Sequence, residues 1–92
     1  MSEDNVVSLG EVIDISRALD LKAMLKAVLE LKEPIALDGS KINRIDACGL
    51  QLLLAFVIKA KTLSIAVQWR GCSEALKRSA ELAGLANEIG CK

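Results

Sequence analysis

The sequence predicts a small α/β domain, with about four mostly parallel strands packed with three helices. Three observations carry that prediction. The chain has 92 residues, of which 52% are hydrophobic, so it forms one domain (residues 1–92) with a real core. Runs of strand period and runs of helical period follow one another as strand, strand, helix, strand, helix, strand, helix. Strands separated by helices usually lie parallel, because the helix carries the chain back to the same end of the sheet.

The elements are read in order. Val6-Val7-Ser8-Leu9 is a β-branched run stopped by Gly10, and Glu11-Val12-Ile13-Asp14-Ile15 roughly alternates polar with apolar. With Gly10 between them, the two read as a hairpin or two short paired strands. From Ser16, a candidate N-cap, the period lengthens. Lys22, Lys26, Glu30 and Glu33 make a polar stripe, and Leu21, Leu25, Val28 and Leu31 an apolar one beside it, giving an amphipathic helix of about four turns. Pro34 ends it. Pro34-Ile35-Ala36-Leu37-Asp38 reads as a buried central strand, its proline in the first position, where a missing N–H is tolerated.

Residues 41–45 form a connecting loop anchored by Ile42 and Ile45, and Asp46 caps a second helix that runs to about Lys61. Leu63, Ile65, Val67 and Trp69 share one face of an alternating strand. After Gly71 a third helix carries Cys72, Leu76, Ala80 and Ala83 on one side. Gly84 is its left-handed C-cap, with Leu85 as the accompanying hydrophobic contact.

Composition excludes several functions. Twelve Lys plus Arg balance twelve Asp plus Glu, so no basic patch is expected to draw nucleic acid or an anionic membrane. Phe56 and Trp69 are the only aromatic residues, too few to stack single-stranded bases. Without histidine or tyrosine, acid–base chemistry near neutral pH falls to carboxylates, lysines or cysteines, and a histidine triad is impossible within the chain. Cys48, Cys72 and Cys91 are odd in number and widely spaced, which argues against both a disulfide framework and a zinc site. No metal or cofactor is expected. The acidic start Met1-Ser2-Glu3-Asp4-Asn5 is unlike a signal peptide, and the longest apolar stretch falls far short of the ~20 residues of a membrane span, so a cytoplasmic protein is expected.

The second helix is unusually apolar. At about 100° per residue, Leu50, Leu53, Val57 and Ala60 point to the core, while Cys48, Gln51, Ala55 and Lys59 fall opposite. Leu52, Leu54 and Ile58 lie on the flanks. Either neighbouring helices cover those flanks, or Gln51, Leu52, Ala55 and their neighbours form a protein-docking face, with Ala55 small enough for a partner backbone to approach. The loop at residues 39–49 leaves the carboxyl end of a strand, where open α/β sheets carry their sites, and enters a helix N-terminus that favours negative charge.

Leu37-Asp38-Gly39-Ser40-Lys41-Ile42-Asn43-Arg44-Ile45-Asp46-Ala47-Cys48-Gly49-Leu50 resembles the signature of the STAS domain. That signature is a strand ending in Leu/Val-Asp-Leu, a loop, then hydrophobic-Asp-Ser/Thr-x-Gly-Leu opening a helix, and the resemblance extends over essentially the whole chain. It implies a non-catalytic regulatory binding module, with no enzyme activity, first of the anti-sigma factor antagonist type. A chemotaxis-associated regulator and a small subunit of an ABC-type lipid-asymmetry transporter are the alternatives. The implied partner is correspondingly a serine-kinase-like anti-sigma factor, a chemotaxis protein or a transporter ATPase, with a homodimer as a further possibility. In the antagonists a Ser or Thr two residues after the aspartate is phosphorylated, and the added charge releases the partner. Here that position is Cys48, and the residue directly after Asp46 is Ala47.

The loop, the outward face of the second helix and the resemblance together give an expected partner-binding set of Ser40, Arg44, Asp46, Ala47, Cys48, Gly49, Gln51, Leu52, Ala55 and Lys59. Each has a plainer reading beside it. Cys48 is a small residue standing where the hydroxyl is dispensable, an oxidant-sensing thiol at a helix start, or the site of another modification. Ser40 is a turn residue or an alternative phosphoacceptor. Asp46 is a helix cap with or without a part in binding, and Arg44 and Lys41 are solvated loop cations or contacts for an acidic partner.

Overall fold

The computed structural model describes residues 5–91; residues 1–4, which hold most of the acidic N-terminal stretch, and residue 92 lie outside the described residues. Five strands and four helices follow one another: β1 (Asn5–Ser8), β2 (Val12–Ile13), α1 (Ile15–Glu30), β3 (Ile35–Gly39), β4 (Arg44–Ile45), α2 (Ala47–Thr62), β5 (Val67–Cys72), α3 (Glu74–Leu82) and α4 (Ala86–Ile89). The α/β class holds, and every strand pairing is parallel. β3 is the central strand of a three-stranded sheet ordered β1-β3-β5, and β2 pairs with β4 in a separate two-stranded sheet.

The first two strands do not form the expected hairpin. Val7 lies opposite Leu37 on β3, whereas Ile13 lies opposite Ile45 on β4. Gly10, at φ 82°, turns the chain from one sheet into the other. The Arg17 guanidinium donates to the carbonyls of Leu9 (3.3 Å) and Val12 (2.8 Å), satisfying backbone that a hairpin would have paired. The segment expected as a plain loop contains β4, whose two residues are too few to show a period.

α1 begins earlier than expected. Its N-cap is Asp14, not Ser16; the Ser16 N–H and hydroxyl both donate to the Asp14 carboxylate, at 3.0 and 2.6 Å. The buried row is Leu21, Leu25 and Leu29, while Val28 is half-buried and Leu31, the C-cap, is exposed. α2 is capped by Asp46 as expected and buries Gly49, Leu50, Leu53, Phe56 and Ala60, with Val57 half-buried.

The strand expected from residue 63 begins only at Val67. Leu63 caps α2, Ser64 takes a left-handed conformation (φ 60°), and the Ile65 N–H donates back to the Ala60 carbonyl at 2.8 Å. That is a Schellman ending, and its hydrophobic residue imitates the alternation of a strand. β5 also runs further than expected, through a bulge at Arg70 to Cys72, so Cys72 belongs to the sheet and α3 starts behind the Ser73 cap. Ala83 is its exposed C-cap rather than a core residue, and Gly84 (φ 72°) and Leu85 complete the predicted ending.

The segment at residues 89–91 is fastened twice. The Trp69 indole N–H donates to the Ile89 carbonyl at 3.0 Å, and Cys72 and Cys91 form a disulfide with Cα atoms 6.0 Å apart. This overturns the expectation of no disulfide. The partners lie 19 residues apart and meet only because α4, which the periodicity did not show, folds the tail back toward the end of β5. The core joins strand residues such as Val7, Ile35 and Leu37 to one face of each long helix.

Candidate functional site

The start of α2 is held by two interlocking contacts. Asp46 is extended (φ −101°, ψ −179°), its carboxylate accepts the Gly49 N–H at 2.9 Å, and its own N–H donates to the Ile13 carbonyl at 3.1 Å. The cap is thereby tied to β2. Gly49 presses on the same strand: a Cβ there would sit 2.6 Å from Ile13 Cγ2, 2.8 Å from the Ile13 oxygen and 3.0 Å from Ile45 Cγ1. The Asp-x-x-Gly spacing thus has a local cause, because the residue whose N–H the cap needs is also the one that touches the sheet. Ala47 and Cys48 lie between them and are exposed, and Cys48 is a free thiol.

Beyond this start, Gln51, Ala55 and Lys59 continue an exposed row along α2, with Leu52 half-buried and Ile58 53% exposed beside it. The face expected to look outward does so.

The remaining expected residues are distributed over three surroundings. Ser40 donates its N–H and hydroxyl to the Asp38 carboxylate, at 3.0 and 2.6 Å, and lies against Gly71 at the end of β5, not against the start of α2. The hydroxyl bond foremost, then the backbone one, holds the Asp38 carboxyl below its ordinary 3.8, with Lys41 and Arg70 adding to the effect. Arg44 lines an open cleft of about 500 Å³ shared with Glu74, Arg78 and Ser79 of α3. Ala55 and Lys59 line a groove of about 300 Å³ whose other wall is α1, through Lys22, Leu25, Lys26 and Leu29. The α1 residues were missed as site residues. Their signal was present as a Lys22/Lys26 stripe beside Leu25 and Leu29, but it reads as ordinary solvent polarity until α2 is laid alongside.

Taken together, these features define a small parallel α/β domain whose accessible surface centres on a capped helix start and the outer row of that helix. A family model described as "Mlab, STAS domain" matches residues 1–90, and the chain belongs to the STAS domain family. No curated protein matches the chain. Among solved structures, a sulfate transporter family protein from Wolinella succinogenes is similar with a TM-score of 0.69 at 19% identity, over 94% of this chain and 70% of that one. The crystal structure of Mglu matches with a TM-score of 0.66 at 20% identity over 77% of this chain, which there spans only 18% of the other chain's length. At such identities the likeness concerns the fold. Among the described residues, no helix is long and apolar enough to cross a membrane.

Proposed function

We propose that this STAS domain is a non-catalytic regulatory docking module that binds a protein partner through the start and exposed side of α2. The supporting observation is the row of Cys48, Gln51, Ala55 and Lys59. It is exposed along a helix of otherwise apolar character, and next to a cap whose carboxylate is already committed to Gly49. Surfaces of this kind mark contact sites, and nothing in the row supplies a general base beside the Cys48 thiol. The partner class that fits best is the serine-kinase-like anti-sigma factor, with a chemotaxis signalling protein close behind. Cys48 stands at the phosphoacceptor-equivalent position, so binding in this reading is constitutive with respect to serine phosphorylation at that position.

A second reading is docking to a membrane transporter or its ATPase; the fold likeness to the sulfate transporter family protein bears on the transporter part alone. Affinity isolation from host lysate, with the wild-type chain and an Ala55→Glu variant as baits, tests the proposal. The variant is expected to keep its circular dichroism spectrum and lose the partner. Recovery of an anti-sigma or chemotaxis protein supports the first reading, and recovery of a transporter ATPase the second. If Ala55→Glu retains every protein that wild type retains, α2 is not the docking face.

A further inference from the structure

Between α1 and α2 lies a trough that is apolar at its floor and cationic at its rim. Leu25, Leu29 and Phe56 lie at the bottom of the part of about 300 Å³, with Lys22, Lys26 and Lys59 around it. A further hollow of about 200 Å³ shares Lys26, Leu29 and Lys59 with it and continues to Leu63, adding Lys32 and Glu30. Four lysines face one glutamate, a local excess of three positive charges in a chain whose net charge is zero.

We propose that this trough receives an acidic amphipathic helix of the partner protein, its apolar stripe on Leu25, Leu29 and Phe56 and its carboxylates against Lys22, Lys26 and Lys59. The inference rests on α2 being the docking face and adds the chemistry of what docks there. Shape favours a helix over an acyl chain. The trough is open along its length, so it covers an occupant on one side only, whereas a lipid chain needs enclosure on nearly all sides. Its extent agrees: residues 22–30 of α1 span about 12 Å at a helical rise, room for about two turns of a partner helix, with Lys32 just beyond the helix end.

Lys22 faces Ala55 near one end and Lys32 faces Leu63 near the other, so α1 and α2 run in the same direction. One and two turns before Lys22, Leu19, 80% exposed, and Ile15, 74% exposed, extend the apolar surface of α1 toward its start. Exposed lysines around it steer an acidic partner at low ionic strength and release it as salt screens them.

The test uses the full, disulfide-bonded chain and two fluorescent stapled peptides of three turns. One carries leucines at helical spacing on a glutamate background, the other the same leucines on a lysine background. Fluorescence anisotropy is expected to show binding of the acidic peptide alone, with amide shifts centred on Lys22, Lys26, Ala55 and Lys59. Lys22→Glu/Lys26→Glu should weaken the acidic peptide by roughly tenfold or more and gain affinity for the basic one. Equal binding of both peptides, or indifference to the charge reversal, overturns the proposal. So does charge-sensitive binding to phosphatidylglycerol vesicles without peptide binding, which would make the occupant a lipid surface. In the lysate isolation, a partner lost by Ala55→Glu but kept by Lys22→Glu/Lys26→Glu leaves the docking face standing and removes the acidic helix. Retention by both variants removes the docking face itself.

Discussion

Substituting Gly49 by alanine sets two effects of opposite sign against each other. Helix propensity alone predicts stabilisation of about 1 kcal/mol, since glycine is the poorer helix former. The structure predicts the reverse. The new Cβ would lie 2.8 Å from the Ile13 oxygen, and ordinary contact begins near 3.4 Å, so α2 and β2 must part by roughly 0.6 Å. That oxygen is backbone, with no rotamer to yield, and it also accepts the Asp46 N–H, so parting the elements weakens the cap as well. Overpacking of this kind costs about 1–3 kcal/mol, here at the upper end, and the strained hydrogen bond adds up to about 1 kcal/mol. Net of propensity, Gly49→Ala is expected to lose about 2–3 kcal/mol and about 8–24 °C in melting temperature. Urea denaturation and thermal melts followed by circular dichroism measure both. A variant as stable as wild type, or more so, would refute the close approach of α2 to β2 that is argued to require glycine here.

Further expectations follow from other contacts. Reducing the Cys72–Cys91 disulfide, which links residues 19 apart, is expected to cost about 3 kcal/mol, seen as a lower urea midpoint with dithiothreitol than without. An unchanged midpoint, or alkylation of three thiols rather than Cys48 alone in the denatured but unreduced protein, would show that the bond is not there. Ser64→Gly is expected to stabilise by about 0.5–1 kcal/mol, because φ 60° at the end of α2 suits glycine; a loss in urea midpoint would contradict the Schellman ending. Hydrogen bonds from Ser16 and Ser40 hold the Asp14 and Asp38 carboxyls below 3.8. A lowered folded value contributes stability that is present above the unfolded value and lost as pH falls through the folded one. Stability should accordingly drop below about pH 3.8, by less in Asp14→Asn/Asp38→Asn; equal slopes in the two proteins would rule those carboxyls out as the cause.

Legibility in the sequence followed the range of the interaction. The Asp46 cap, the Gly84 ending and the outward row of α2 depend on residues three or four apart, and each was readable from spacing. The start of β5 was misread for an equally local reason, because Ile65 closes a helix while keeping step with Val67 and Trp69. β2 and β4 contribute two residues each, too short for a period, and their pairing joins segments more than 30 positions apart. Nor does the disulfide appear in the sequence pattern, since a spacing of 19 means nothing until α4 turns the chain back. The trough between α1 and α2 needed both helices in register. Its lysines were legible as polar and its leucines as core, but their juxtaposition was not.

The start of α2 separates residues that folding fixes from residues that it leaves exposed. Asp46 is fixed by its bonds to Gly49 and Ile13, and Gly49 by its contact with the sheet. Cys48 lies between these constrained positions, yet its side chain is exposed and makes no hydrogen bond. The cap draws its acceptor from position 46, so a hydroxyl at position 48 has no structural work to do, and cysteine replaces it without cost to the helix. Position 48 is therefore free of the constraints that fix its neighbours, and under the proposed docking role it can change without disturbing the surface offered to a partner. Under the proposed role, a cysteine at the phosphoacceptor-equivalent position is thus compatible with an intact docking face.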